Sequence, residues 1–178
     1  MTVIAAEFGG LRHHPLDLIA HDHALQMQLC DMLEHIADGL PDDIDRRQCR
    51  EAASALKFDI PLHHRDEELC LFPLLLERGA GAGSLAEVFE RLADEHVKDE
   101  SFATELIESL EDLAQGGTAP NPDMLGYMLR GFFEGYRRHI HWENTLVLPA
   151  ARQCLKADDL ERLVRCMAEN RTAAKAKT

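Results

Sequence analysis

The chain has 178 residues, 46% hydrophobic and 29% charged, an ordinary globular composition with enough apolar material for a sizeable core. With 19 basic against 32 acidic residues the net charge is −13, which repels phosphate backbones and argues against a nucleic-acid partner. No stretch is long and apolar enough to span a bilayer, and the start MTVIAAEFGG lacks the basic segment and apolar run of a secretion signal. The expected setting is therefore the cytoplasm, with no membrane partner.

The hydrophobic spacing predicts helices throughout and no strand. A first helix starts at Pro15, a favourable first helical position, and runs to Ala37, with Gly39 as its stop. The second follows Pro41 and ends at Arg78. GAGAGS is a loop, and Ser84 with Glu87 forms a capping box that opens the third helix. Gly116 and Gly117 close it. Asn121 and Pro122 open the fourth as N-cap and first residue, and it runs to about Leu155. Asp158 with Glu161 caps a short fifth helix that fades near Asn170, packing across one end of the molecule or supporting a homo-oligomer contact; the tail RTAAKAKT frays. The expected fold class is all-α: one domain over residues 1–178, an antiparallel up-down-up-down four-helix bundle over about 12–155 with a helix at about 158–170. The five cysteines form no C-x-x-C pair and read as reduced thiols, mostly small buried hydrophobes.

A motif occurs twice. Residues 63–73 read HHRDEELCLFP and residues 139–149 read HIHWENTLVLP, so His63, Glu67 and Pro73 match His139, Glu143 and Pro149. A second repeat, IAHDH at 19–23 and LADEH at 92–96, adds His23 and His96. Positions i and i+4 share a helix face, so each His-x3-Glu sets an imidazole beside a carboxylate. The chain reads as two copies of one helical hairpin.

Four histidines on four helices make one site only at equal height. In the second hairpin His96 and His139 lie about equally far from the turn at Gly116. In the first, His23 and His63 differ by roughly 9 Å. The mismatch closes if residues 42–47 (DDIDRR) are an extended loop or separate turn and regular helix begins near Gln48.

The candidate metal ligands are His23, His63, Glu67, His96, His139 and Glu143. Nitrogen and oxygen ligands without thiolate suit iron or manganese, and also zinc. Two carboxylates can bridge two metals, each then holding two imidazoles and one oxygen from each Glu, with an oxo or hydroxo bridge and a vacancy for O2, NO or peroxide. A carboxylate-bridged pair favours iron, two per chain. Glu100 and Tyr136 are possible additions, read first as an outer carboxylate and a core phenol. His13, His14, His21, His35, His64 and His141 are expected at the surface or behind the site; Met27, Cys30, Phe132, Phe133 and Trp142 fill the core or line access to it.

With Asp22–His23, HHRDEELCLFP, Glu95–His96 and HIHWENTLVLP together over about residues 12–155, the chain resembles the hemerythrin-like, or HHE cation-binding, family. The resemblance implies a four-helix bundle with a non-haem di-iron centre, the four histidines as terminal ligands and Glu67 and Glu143 as bridges. The expected function is binding of O2, NO or a related oxidant for sensing, scavenging or protection. Peroxide or NO turnover, iron-centre repair, and metal storage without redox chemistry are the alternatives. The expected assembly is a monomer or small homo-oligomer.

Overall fold

A computed structural model describes residues 14–79 and 84–175. The expectations for the N-terminal segment, for most of the GAGAGS loop and for the last tail residues lie outside these. The described residues form five helices and no strand: α1 (Pro15–Gly39), α2 (46–77), α3 (Ser84–Gln115), α4 (122–154) and α5 (Ala157–Lys175).

The helix ends follow local chemistry. Asp45 caps α2, its carboxylate accepting from the backbone N–H groups of Arg47 and Gln48 at 2.8 and 3.2 Å. Regular helix thus begins at Arg46, two residues before the expected start. The first helix also runs past Ala37 to Gly39 before Leu40 turns extended. His23 then sits about 16 residues before the end of α1, and His63 about 17 after the start of α2, so the height mismatch disappears. Gly116, with φ +95°, ends α3 in paired bonds: its N–H to Leu113 O and the Gly117 N–H to Asp112 O. Asn121 caps α4 by accepting from the Met124 N–H at 3.1 Å. At α5 the capping carboxylate is Asp159, which accepts from the Lys156 N–H and from Arg78, in place of the expected Asp158–Glu161 pair. The Ser84 side-chain contacts lie outside the described residues.

Before the repeated prolines Pro73 and Pro149 the helices widen. The segments Glu67–Leu71 and Glu143–Val147 are π-helical, as is Ala55–Asp59. In each, the residue before a proline reaches five residues back: Phe72 N–H to Glu67 O, Leu148 N–H to Glu143 O, Ile60 N–H to Ala55 O. Proline has no N–H, and its ring displaces the carbonyl four residues earlier; one extra residue in the turn relieves both.

α1 packs on α4, α2 on α3, and α3 on α4. α5 is neither short nor across one end: it runs to Lys175 and lies along the Ile60–Asp66 and Glu67–Leu71 stretch of α2. A disulfide, Cys70–Cys166, fastens it there, with Cα atoms 5.7 Å apart. The expectation of five reduced thiols is corrected for these two, because α5 brings a residue 96 positions away onto α2, a proximity no local spacing shows. Cys30 and Cys49 are free and buried, and burial pushes the Cys30 thiol up to about 12.

The interior has two apolar parts. One holds Leu33, Leu56, Ile60, Leu106, Leu110, Leu129, Phe132 and Tyr136. The other holds Leu16, Ile19, Leu71, Leu75, Phe89, Leu92, Leu148 and Met167. On every bundle helix the polar motif residues fall between the stretches that feed the two parts.

Candidate metal centre

His23, His63, Glu67, His96, His139 and Glu143 are all at most 2% exposed. They converge as two overlapping groups, His23–His63–Glu67–Glu143 and Glu67–His96–His139–Glu143, each with ligand-capable atoms within 4.8 Å of one another. Both groups share both glutamates. The inward nitrogens are the Nε2 atoms. His139 Nε2 lies 2.8 Å from Glu143 Oε1, His23 Nε2 3.2 Å from Glu143 Oε2, and His63 Nε2 and His96 Nε2 each 3.5 Å from Glu67 Oε2.

The outward nitrogens face acceptors. His96 Nδ1 bonds Glu68 at 2.7 Å, His139 Nδ1 bonds Glu95 at 3.1 Å and His23 Nδ1 bonds Asn144 Oδ1 at 2.8 Å. His63 Nδ1 lies 3.9 Å from Asp22, which also faces Arg171 at 3.4 Å. A carboxylate or amide oxygen only accepts, so Nδ1 carries a proton in those three rings and Nε2 is the nitrogen turned inward. His96 Nε2 and His139 Nε2 then face each other at 3.1 Å. The four carboxylate oxygens of Glu67 and Glu143, and the Nε2 atoms of His23 and His63, are buried without a hydrogen-bond partner of normal geometry. Burying these two carboxylates is costly unless positive charge, as metal cations or as protons on the rings, lies among them. The donor set therefore fits cations at this position.

The electrostatics agree. Burial alone would lower His23 and His96, but Glu143 and Glu67 outweigh it and raise both to about 10. His139 is raised against its burial by Glu143. Burial would raise Glu143, yet the three histidines His139, His23 and His96 hold it well below the usual carboxylate range. The pocket demands positive charge.

Of the histidines expected outside the site, His14, His21, His35 and His141 are exposed, whereas His64 is buried. It stacks on His96 at 3.9 Å. Its Nδ1–H donates to Glu100 at 2.9 Å, and its Nε2 accepts from the Tyr136 hydroxyl at 3.2 Å. Burial, then the neighbouring histidines, push it well below its usual value, so it is neutral at pH 7. Tyr136 stacks on His139 and Phe132, and burial holds it as a phenol. Glu100 and Tyr136 thus meet at His64, outside the six-residue cluster. Of the residues expected to fill the core or line access to it, Cys30, Phe132 and Phe133 are buried, whereas Met27 and Trp142 are 36% and 38% exposed, and Trp142 carries the Arg91 guanidinium on its ring. Sequence reasoning missed Glu68 and Asn144, each one residue after a shared glutamate, and Arg171 and Asn170, which bind the buried Asp66 beside His63.

A helical bundle that buries imidazoles and carboxylates with their lone pairs turned inward belongs to the class of helical metal-binding proteins. The family model of the hemerythrin HHE cation binding domain matches residues 14–151, and the chain belongs to that family. It is also similar to an uncharacterized protein of Haemophilus influenzae, 25% identical over 168 residues, which are 89% of this chain and 91% of the relative. No solved structure matches it.

Proposed function

We propose that this chain is a non-haem di-iron protein that binds O2, NO or a related small oxidant for sensing, scavenging or protection. In this reading α1 to α4 form one antiparallel up-down-up-down domain, as their short connections favour. His23 and His63 hold one iron, His96 and His139 the other, and Glu67 and Glu143 bridge the two. The observation that carries it is the overlap of the two buried groups through both glutamates. Iron is preferred over zinc because a thiolate-free, carboxylate-bridged pair suits redox chemistry. When bound, the irons would supply electrons and open coordination positions to a small ligand.

The protein's own residues do the rest. Three of the four imidazoles, those of His23, His96 and His139, are aimed by outward hydrogen bonds. Apolar packing on either side of these six residues, which form a polar belt across the bundle, favours small uncharged diatomics over charged substrates. The Tyr136 hydroxyl, tied to His64, is the polar group at the edge of the belt. No helix is long and apolar enough to cross a membrane among the described residues. A cytoplasmic location belongs to the same reading, with the Cys70–Cys166 pair then open to cellular thiol reductants.

Metal analysis with optical spectra in air, after reduction and with NO tests this. Two irons per chain and a ligand-to-iron band that shifts on adding NO are expected. One zinc per chain with a featureless spectrum contradicts it.

A further inference from the structure

The repeat extends beyond the six residues, and it is broken at one position. The residue after each shared glutamate crosses to the other hairpin: Glu68 accepts from His96 Nδ1 at 2.7 Å, and Asn144 accepts from His23 Nδ1 at 2.8 Å. The geometry is the same and the charge is not. The other two outward contacts repeat the bias. Glu95 bonds His139 at 3.1 Å, its second oxygen turned to the exposed Arg91. Asp22 stands 3.9 Å from His63 and faces Arg171, which also pairs with Asp66. The His96–His139 half is backed by two bonded carboxylates. The His23–His63 half is backed by a neutral amide and a more distant carboxylate already facing a guanidinium.

A carboxylate that accepts the Nδ1 proton pushes electron density toward Nε2 and makes the ring a stronger donor. An amide oxygen does the same more weakly, since charge-assisted hydrogen bonds are roughly twice as strong as neutral ones. Removing an outer partner of a metal-bound histidine costs about 10- to 100-fold in affinity.

We propose that positions 68 and 144 make the two halves unequal, so that the first divalent cation enters the half built by His96, His139, Glu67 and Glu143, and the second enters the His23–His63 half. In a pair of unequal charge, the higher charge stays with His96 and His139. This rests on the reading of the six residues as a two-cation site. Glu68 and Asn144 are positioning residues: they act through His96 and His23.

The test is a zinc titration of the metal-free full-length protein with 15N-labelled histidine, following each ring by NMR. Zinc is redox-silent, so the readout is order of filling and not activity. The expected result is that His96 and His139 shift with the first equivalent and His23 and His63 with the second, with affinities about tenfold or more apart. Glu68→Gln should narrow that gap, and the near-isosteric double exchange Glu68→Gln/Asn144→Asp should reverse the order. Two zinc ions that fill both halves together, or His23 and His63 first, overturn this inference alone. So does a double variant that keeps the wild-type order. A single zinc per chain held by all six residues overturns the two-cation reading, and this inference with it.

Discussion

The belt and the apolar interior it divides follow opposite rules. Leu106 and Leu110 are fully buried in an apolar cluster drawn from α1, α2, α3 and α4. That region stabilises the fold by removing hydrocarbon from water and requires no ligand. Farther along the same bundle, Glu67 and Glu143 are equally buried, yet no hydrogen bond of normal geometry satisfies their oxygens. Burial that stabilises the one region costs free energy in the other. The contrast teaches that the belt is carried by the core and is shaped for a charge it does not itself contain.

The largest expected effect comes from breaking the belt. Glu67→Ala should abolish the paired cations, with iron falling below two per chain, and should bring His23 and His96 back toward their ordinary values in the metal-free fold, since Glu67 is one of the two carboxylates that raise them. Metal analysis and an NMR pH titration of the two rings in the metal-free form check both halves of that statement. His64→Ala is the control, since both nitrogens of His64 are already engaged elsewhere; iron content should hold.

Alkaline pH sharpens the contrast next. His23 and His96 are raised from 6.5 to about 10 in the metal-free fold. Each therefore adds stability that is fully present below about pH 6.5 and is lost as pH rises through about 10. Denaturant melts of the metal-free protein between pH 7 and 10 should fall, at up to about 1.4 kcal/mol per pH unit for each group. Bound metal needs the unprotonated ring, so the loaded protein should lack this slope and should release protons on loading near pH 7.

In the apolar region, Leu106→Ala should cost about 2–5 kcal/mol of stability. Iron per folded chain should stay at two. The smallest effect is Asn121→Ala, which removes the α4 cap at the far end of the bundle, for about 1 kcal/mol and no change in metal content.

Much of the belt was legible because helical periodicity converts spacing into a face. His63 with Glu67 and His139 with Glu143 announce themselves at i and i+4, and the repeat recruits His23 and His96. The correct start of α2 was also within reach, since Asp45 and Gln48 stand three apart in the manner of a capping pair. What hid from the sequence depends on how helices cross. Glu68 and Asn144 look like neighbours of the bridging residues, and only packing sends them to histidines of the opposite hairpin. The Cys70–Cys166 bond and the reach of Arg171 to Asp22 follow from α5 lying along α2, which a short capped helix in the sequence does not reveal. The widened turns before Pro73 and Pro149 fall at matching places in the repeat, and the one before Pro61 has no counterpart there.

The central claim, that six buried residues hold two bridged cations, is tested most directly by anomalous diffraction at the iron edge from crystals of the iron-loaded protein. The account predicts two adjacent peaks, one beside His23 and His63, the other beside His96 and His139, with Glu67 and Glu143 reaching both. A single peak, or a peak bonded to His64 in place of one of the four histidines, would contradict it.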